Sequence, residues 1–158
     1  SLKSIVARRK ELKNIASGLL GSFISRNNDV AGYWGIGQLS SLAAKNSVDS
    51  VRIDLILGSI TPPNAFFSEL VSGYSRILNQ RLLACDIPPP WLRSATIELN
   101  LNPEPPPKRV FSTTWGSLFE LTVTLVDDKF TEHAVSAFGY CAPHDPIREY
   151  RRPGGWRF

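Results

Sequence analysis

The sequence predicts an α+β fold, in which a mainly antiparallel sheet of about four strands carries two to three helices on one face. Apolar residues in several segments recur at the three- and four-residue spacing of amphipathic helices, whereas other segments alternate apolar and polar residues as half-buried strands do. Most of the predicted helices come first in the chain, and its last two predicted elements are long strands that form a hairpin. The predicted order is therefore α-α-β-α-β-β-β, within a single domain that spans residues 1–158.

The first two elements are predicted to be helices. Residues 2–26 carry apolar side chains at the i, i+3, i+4, i+7 spacing, and Gly18 and Gly21 leave room near this stripe for a close neighbour. Asn27-Asn28-Asp29 ends the helix, because short polar side chains cap helix termini. A second helix is predicted from Tyr33 or Ile36 to about Lys45.

A strand and a long helix are predicted next. Val51–Leu57 alternates apolar and polar residues, and Gly58 marks the end of this strand. Thr61-Pro62-Pro63-Asn64 is typical of a helix start, and apolar residues continue the helical stripe as far as Leu83. Ile87–Trp91 is predicted to be extended, since proline disfavours helix in the residue before it.

The last strands are predicted from alternation that resumes at Ala95–Leu101. Asn102–Pro107 forms a stiff proline-rich loop. Phe119–Leu125 and Phe130–Cys141 then form the two arms of a hairpin, with Asp127-Asp128 in the turn. Residues 144–158 are predicted to be an irregular tail that is rich in basic and aromatic side chains.

Composition points to a folded domain in a reducing cytoplasm. The chain is 42% hydrophobic with a formal net charge of +4, and its basic residues concentrate at the two ends. No apolar run approaches the ~20 residues that a membrane span needs, and no signal peptide is recognised at the N-terminus. Cys85 and Cys141 are too few for a disulfide framework.

The polar face of the predicted sheet supplies the candidate catalytic residues. If the hairpin pairs Leu125 with Phe130, then Thr122 faces His133 and Glu120 lies diagonal to it. Glu120 and His133 would form a general acid-base pair, and Arg52 on the same face would hold an anion. The alternative is an ordinary solvated sheet face, and a one-residue slip of register would move His133 to the core side.

The glycine-rich run from Asn27 to Leu39 predicts either a packed helix junction or the lip of a pocket. Tyr33 and Trp34 are its ligand-binding candidates, because each combines a large apolar ring with a polar atom. A phosphate-binding loop is excluded, since no strand precedes the glycines and no Lys-Ser/Thr pair follows. The run resembles a motif of small uncharacterised bacterial families, including those on mobile gene cassettes, and this resemblance implies no activity.

Metal and thiol chemistry are not favoured, and no cofactor is predicted. Cys141 and His144 are close in sequence, but Pro143 between them restricts their geometry and no activating network for a cysteine nucleophile can be read. The CxxC or HxxxH spacing of a zinc site is also missing. The tail interleaves cations with aromatic rings and is predicted to contact a partner subunit or to dock on its own domain. The partner-contact candidates in the tail are Arg151, Arg152, Trp156 and Phe158.

Together these patterns predict a bacterial, self-associating domain, with a dimer favoured, that binds a small polar or anionic ligand without catalysis. The first alternative is a small-molecule enzyme that uses Glu120 and His133, with Arg52 and Thr122 in its binding site. The second is a nucleic-acid-binding protein that uses its basic ends, which the small net charge does not favour. A membrane partner is not expected.

Overall fold

The computed structural model describes residues 4–24, 35–61, 68–103 and 117–141. Its helices are α1 (Ile5–Ile24), α2 (Gly35–Lys45) and α3 (Ser68–Ala84), and a short 3-10 helix spans Pro89–Trp91. Its strands are β1 (Ser50–Asp54), β2 (Ser59–Thr61), β3 (Leu92–Leu101), β4 (Ser117–Asp127) and β5 (Glu132–Cys141).

The strands form one antiparallel sheet in the order β2-β1-β3-β4-β5. Helix α1 packs across β4 and β5, while α2 packs on β1 and β3 and α3 lies beside β2 and α1. The predicted α+β class and the predicted succession of helices and strands are confirmed, with the short strand β2 as an addition. We call the end of the sheet where β1 and β4 end and β3 and β5 begin the hairpin end.

The core lies between the helices and one face of the sheet. Alternate residues along β1, β3 and β4 are buried on this face, whereas their neighbours on the other face, except for the buried Thr96, are half-buried or exposed. Phe23 of α1 and Tyr74 of α3 stack with ring centroids 3.8 Å apart, which joins the two helices above the sheet. The sheet side chains in the core are Val51, Ile53, Ala95, Ile97, Leu99, Phe119, Leu121, Val123 and Leu125.

Gly18 leaves room on α1 for the guanidinium of Arg81, which reaches across from α3. A Cβ atom at Gly18 would overlap the guanidinium of Arg81, whereas a Cβ atom at Gly21 would meet nothing within 4 Å. Only the first of the two glycines therefore provides the space that their spacing suggested.

Strand β1 is shorter than its alternation predicts. It ends at Asp54, because the Oδ1 atom of Asp54 accepts hydrogen bonds from the backbone N–H groups of Ile56 (3.0 Å) and Leu57 (2.9 Å). Gly58, at a φ of 69°, completes the turn into β2. The predicted strand end at Leu57 is therefore wrong. Thr61 is the last residue of β2, and the other residues of the predicted helix start, Pro62-Pro63-Asn64, lie outside the described residues.

The proline segment before β3 is only partly extended. Pro88 is extended, with φ −69° and ψ 145°, but the next three residues form the 3-10 helix. The backbone N–H of Trp91 donates to the carbonyl of Pro88, which closes this turn. Proline is tolerated here because the first residues of a helix need no N–H donor.

The β4–β5 hairpin has a different register from the predicted one. Leu125 pairs with His133 rather than with Phe130, because the loop Asp128–Phe130 is longer than the expected turn. Phe130 adopts a φ of 61°, the left-handed conformation that ends a three-residue hairpin loop. The shift is an odd number of residues, so it places every side chain of β5 on the opposite face from the prediction.

Candidate functional site

The open face of the sheet brings some of the predicted site residues together. Arg52, Glu98, Thr122 and Ser136 lie in one row across β1, β3, β4 and β5. The Nε atom of Arg52 lies 3.8 Å from Oε1 of Glu98, with side-chain exposures of 60% and 41%. Glu98 therefore offsets the positive charge that Arg52 would offer to an anion, and such an exposed pair is weak.

Glu120 and His133 do not form the predicted pair. Glu120 lies on the open face, two residues before Thr122 and opposite Phe138. His133 lies opposite Leu125 on the core side, where it is buried. The expected acid-base arrangement is wrong in its geometry, because the longer hairpin loop turns His133 to the other face of the sheet.

His133 instead binds the buried carboxylate of Asp127 at the hairpin end. Its Nε2 atom lies 3.0 Å from Oδ2 of Asp127 and donates, since a carboxylate only accepts. Oδ1 of Asp127 accepts the backbone N–H groups of Lys129 and Thr131, both at 2.9 Å. One carboxylate thus ties the loop to the start of β5.

Hydrogen bonding keeps Asp127 ionised. Burial alone raises the pKa of Asp127, but the hydrogen bonds from His133, Thr131 and Lys129 outweigh it, so the pKa lies below its ordinary value. Arg9 of α1 adds a positive charge, with its Nε atom 4.0 Å from Oδ2. Asp127 therefore has a structural role, because its contacts attach α1 to the β4–β5 hairpin.

A second basic residue of α1 is buried against an aromatic ring. The guanidinium of Arg8 lies 5.7 Å from the ring centroid of Trp91, a cation-π distance, and the residue is only 7% exposed. This contact places the first turns of α1 over the 3-10 helix, and therefore at the hairpin end of the sheet.

A groove of about 1030 Å³ lies between α3 and the β1–β2 turn. Its inner surface is apolar and comes from buried side chains of both walls. Two exposed leucines, Leu57 on the turn and Leu83 on α3, stand at its rim, each 78% exposed. The buried apolar residues of the groove are Leu55, Val71, Leu78, Leu82, Ile87 and Leu92.

Polar groups fix the width of this groove and line one wall. The hydroxyl of Ser75 donates a hydrogen bond to the carbonyl of Leu55, which ties the middle of α3 to the turn. Ser72, Arg76 and Asn79 also line the groove from the exposed side of α3. The groove therefore combines a fixed apolar interior with nearby polar and cationic groups, as small-molecule sites do.

Several predicted site residues lie outside the described part of the chain. These are Tyr33, Trp34, Arg151, Arg152, Trp156 and Phe158. The predicted irregular tail, residues 144–158, lies outside it as well.

The sequence interpretation missed both Asp127 as a buried residue and the groove. Asp127 had a signal, because aspartate favours the first position of a type I turn, where its side chain binds backbone N–H groups two residues on. The groove also had a sequence signal at Ile56 and Leu57. Two consecutive apolar residues cannot both face the core from one strand, so this pair indicates an exposed apolar side chain. The far wall of the groove comes from a helix that starts eleven residues after Leu57, and no local pattern links the two.

Among the described residues, no group of three or more His, Cys, Asp or Glu side chains could hold a metal ion. None of the described helices has the length and apolar character required to cross a bilayer. Comparison of the chain with protein-family models, curated proteins and solved structures finds no match.

Proposed function

We propose that this domain is a binding module that takes a small molecule with an apolar body and a polar or anionic head group into the groove between α3 and the β1–β2 turn. The observation that carries the proposal is the groove itself, which is as large as common ligand sites and apolar inside. Binding without catalysis fits the open sheet face, where Glu120 has no histidine opposite it.

The lining of the groove favours this class of ligand. Leu78 and Leu82 offer the apolar body a continuous surface, and Leu83 at the rim loses exposed apolar area when a ligand covers it. Arg76 and Asn79 stand on the same wall and would meet a head group. A wholly polar ligand would leave the inner leucines without contacts.

Fluorescence titration with 8-anilinonaphthalene-1-sulfonate, an aromatic anion, tests the proposal, and dodecanoate and dodecanol serve as competitors. Ser72→Trp places a large ring in the groove from an exposed position and should abolish binding of all three. Arg76→Gln should weaken dodecanoate about three- to fivefold and leave dodecanol unchanged, as expected for one exposed ion pair.

Val6→Ser is the matched control, because Val6 is 77% exposed and lies outside the groove lining. It should bind the three probes as the original protein does. The proposal fails if Ser72→Trp, still cooperatively folded, binds dodecanoate with unchanged affinity.

Self-association is the second candidate function, and the same exposed leucines favour it. Leu57 and Leu83 would lose solvent contact if a second copy covered the groove. Light scattering after gel filtration separates the two ideas: a dimer that becomes a monomer in Leu83→Ser supports self-association through the groove. A monomer at all concentrations, with saturable dodecanoate binding, supports the ligand site alone.

A further inference from the structure

Exposed apolar side chains concentrate at the hairpin end of the molecule. Ile5 and Val6 lie in the first turn of α1, which Arg8 and Arg9 attach to Trp91 and Asp127 at this end. Phe130 lies in the β4–β5 loop, Ile56 and Leu57 lie in the β1–β2 turn, and Leu83 lies in the last turn of α3. The large exposed apolar side chains of the described residues are Ile5, Val6, Ile56, Leu57, Leu83 and Phe130.

Phe130 is the least expected member of this set. It is 69% exposed at a φ of 61°, a conformation in which glycine or asparagine is the usual choice. Its ring packs under the guanidinium of Arg93, 4.0 Å from the ring centroid. An exposed cation-π contact of this kind contributes about 0.5–1 kcal/mol, which does not exceed the cost of about 1–2 kcal/mol for the left-handed conformation in a residue other than glycine. A large exposed ring that gives the fold so little net stability points to a contact outside the molecule.

Basic residues surround these apolar side chains. Lys10 follows Val6 by one helical turn on the exposed side of α1, and Lys129 and Arg93 flank Phe130. Three carboxylates at this end act in the opposite direction: Glu132 at the start of β5, Asp128 in the β4–β5 loop and Asp86 after the last turn of α3. The combination of protruding apolar groups with lysine and arginine around them is typical of proteins that rest on an anionic lipid surface.

We infer that the hairpin end docks on the surface of a bilayer that contains anionic lipid, with Phe130, Ile5 and Val6 inserted among the headgroups. The aliphatic side chains favour lipid over nucleic acid, because bases stack on aromatic rings and guanidinium groups and gain little from isoleucine or valine. The sequence alone favoured a solvated face for α1, and the additional observation is that Phe130 is exposed in the β4–β5 loop at the same end of the molecule, where Arg9 of α1 reaches Asp127. Only the first turn of α1 and the β4–β5 loop enter the headgroup region in this arrangement, and none of the described helices is long and apolar enough to cross the bilayer.

Cosedimentation with vesicles of 70% phosphatidylcholine and 30% phosphatidylserine tests the inference. The full chain should bind these vesicles, lose binding at high salt, and bind vesicles of pure phosphatidylcholine less well. Lys10→Gln should lower the partition coefficient about fivefold, whereas Lys45→Gln, which removes an exposed charge at the end of α2, should leave it unchanged. Glu132→Gln should raise it.

Phe130→Gly separates docking from folding. It removes the ring and relieves the positive φ, so its melting temperature should equal or exceed that of the original protein while vesicle binding falls about tenfold. The inference is overturned if the protein stays in the supernatant, if Phe130→Gly binds vesicles normally, or if a thirty-nucleotide oligothymidine binds tightly while vesicles do not. Dodecanoate binding in the absence of vesicles is unaffected by Phe130→Gly, so failure here is distinct from failure of the groove.

Discussion

Replacing Asp127 by alanine is expected to destabilise the fold strongly, although the residue is polar and lies at a hairpin turn. The carboxylate is buried and accepts hydrogen bonds from His133, Lys129 and Thr131. A hydrogen bond to a charged group contributes about 1.5–3 kcal/mol, and the buried ring of His133 would lose its partner at this nitrogen. We therefore expect the free energy of unfolding to fall by about 3–5 kcal/mol.

Urea unfolding followed by circular dichroism measures this loss, and Asp128→Ala is the matched control. Asp128 is the next residue, but its Oδ1 atom is buried with no hydrogen-bond partner, so its removal should leave the free energy of unfolding unchanged or raise it. If Asp127→Ala lowers the free energy of unfolding by less than about 1 kcal/mol, this carboxylate does not stabilise the hairpin as its hydrogen bonds indicate.

The same carboxylate gives the stability a pH dependence of known sign. Because the pKa of Asp127 is lowered in the fold, the unfolded chain binds a proton more readily, and the stabilisation is present above the unfolded value of about 3.9. It is lost as the pH falls through the lower native pKa. The difference in free energy of unfolding between the original protein and Asp127→Ala should therefore shrink as the pH falls below about 4.

Two further changes test how the helices are placed. Gly21→Ala should raise the free energy of unfolding, measured in urea, by about 1 kcal/mol. Gly18→Ala should raise it less or lower it, because the guanidinium of Arg81 must leave its position over α1. Equal gains in the two variants would show that this packing of Arg81 on α1 has no energetic role. Ser75→Ala should lower stability by about 1 kcal/mol and weaken dodecanoate binding, because it frees α3 from the β1–β2 turn. Unchanged dodecanoate affinity in Ser75→Ala would contradict the role of this hydrogen bond in setting the groove.

The fold class could be predicted from local sequence patterns. A strand or helix that buries one face has apolar residues at a regular spacing, and a few consecutive residues are enough to show it. Val51, Ile53, Ile97 and Leu99 alternate along their strands and are all buried on the helical side. The hairpin register did not follow, since it depends on one backbone angle. Nothing in the chemistry of Phe130 indicates a positive φ, and this residue moves His133 from the open face to the core.

The two turns at the hairpin end solve the same physical problem in the same way. Asp54 ends β1 and Asp127 ends β4, and each carboxylate accepts two backbone N–H groups from the residues that follow. Each turn then closes through a residue with positive φ, Gly58 in one and Phe130 in the other. These bonds hold the backbone without help from the apolar side chains of the turns, which therefore remain in solvent.

Because Asp54 and Asp127 hold these turns, the apolar side chains of the turns are free to contact a ligand or a surface. An exposed loop whose apolar residues also held its backbone would lose its conformation when a ligand or surface drew them away. Leu57 and Phe130 carry no such role, because Asp54 and Asp127 perform it. Both residues can therefore be replaced with little loss of stability while binding is lost, and this separation makes the groove and the hairpin end testable by point substitution.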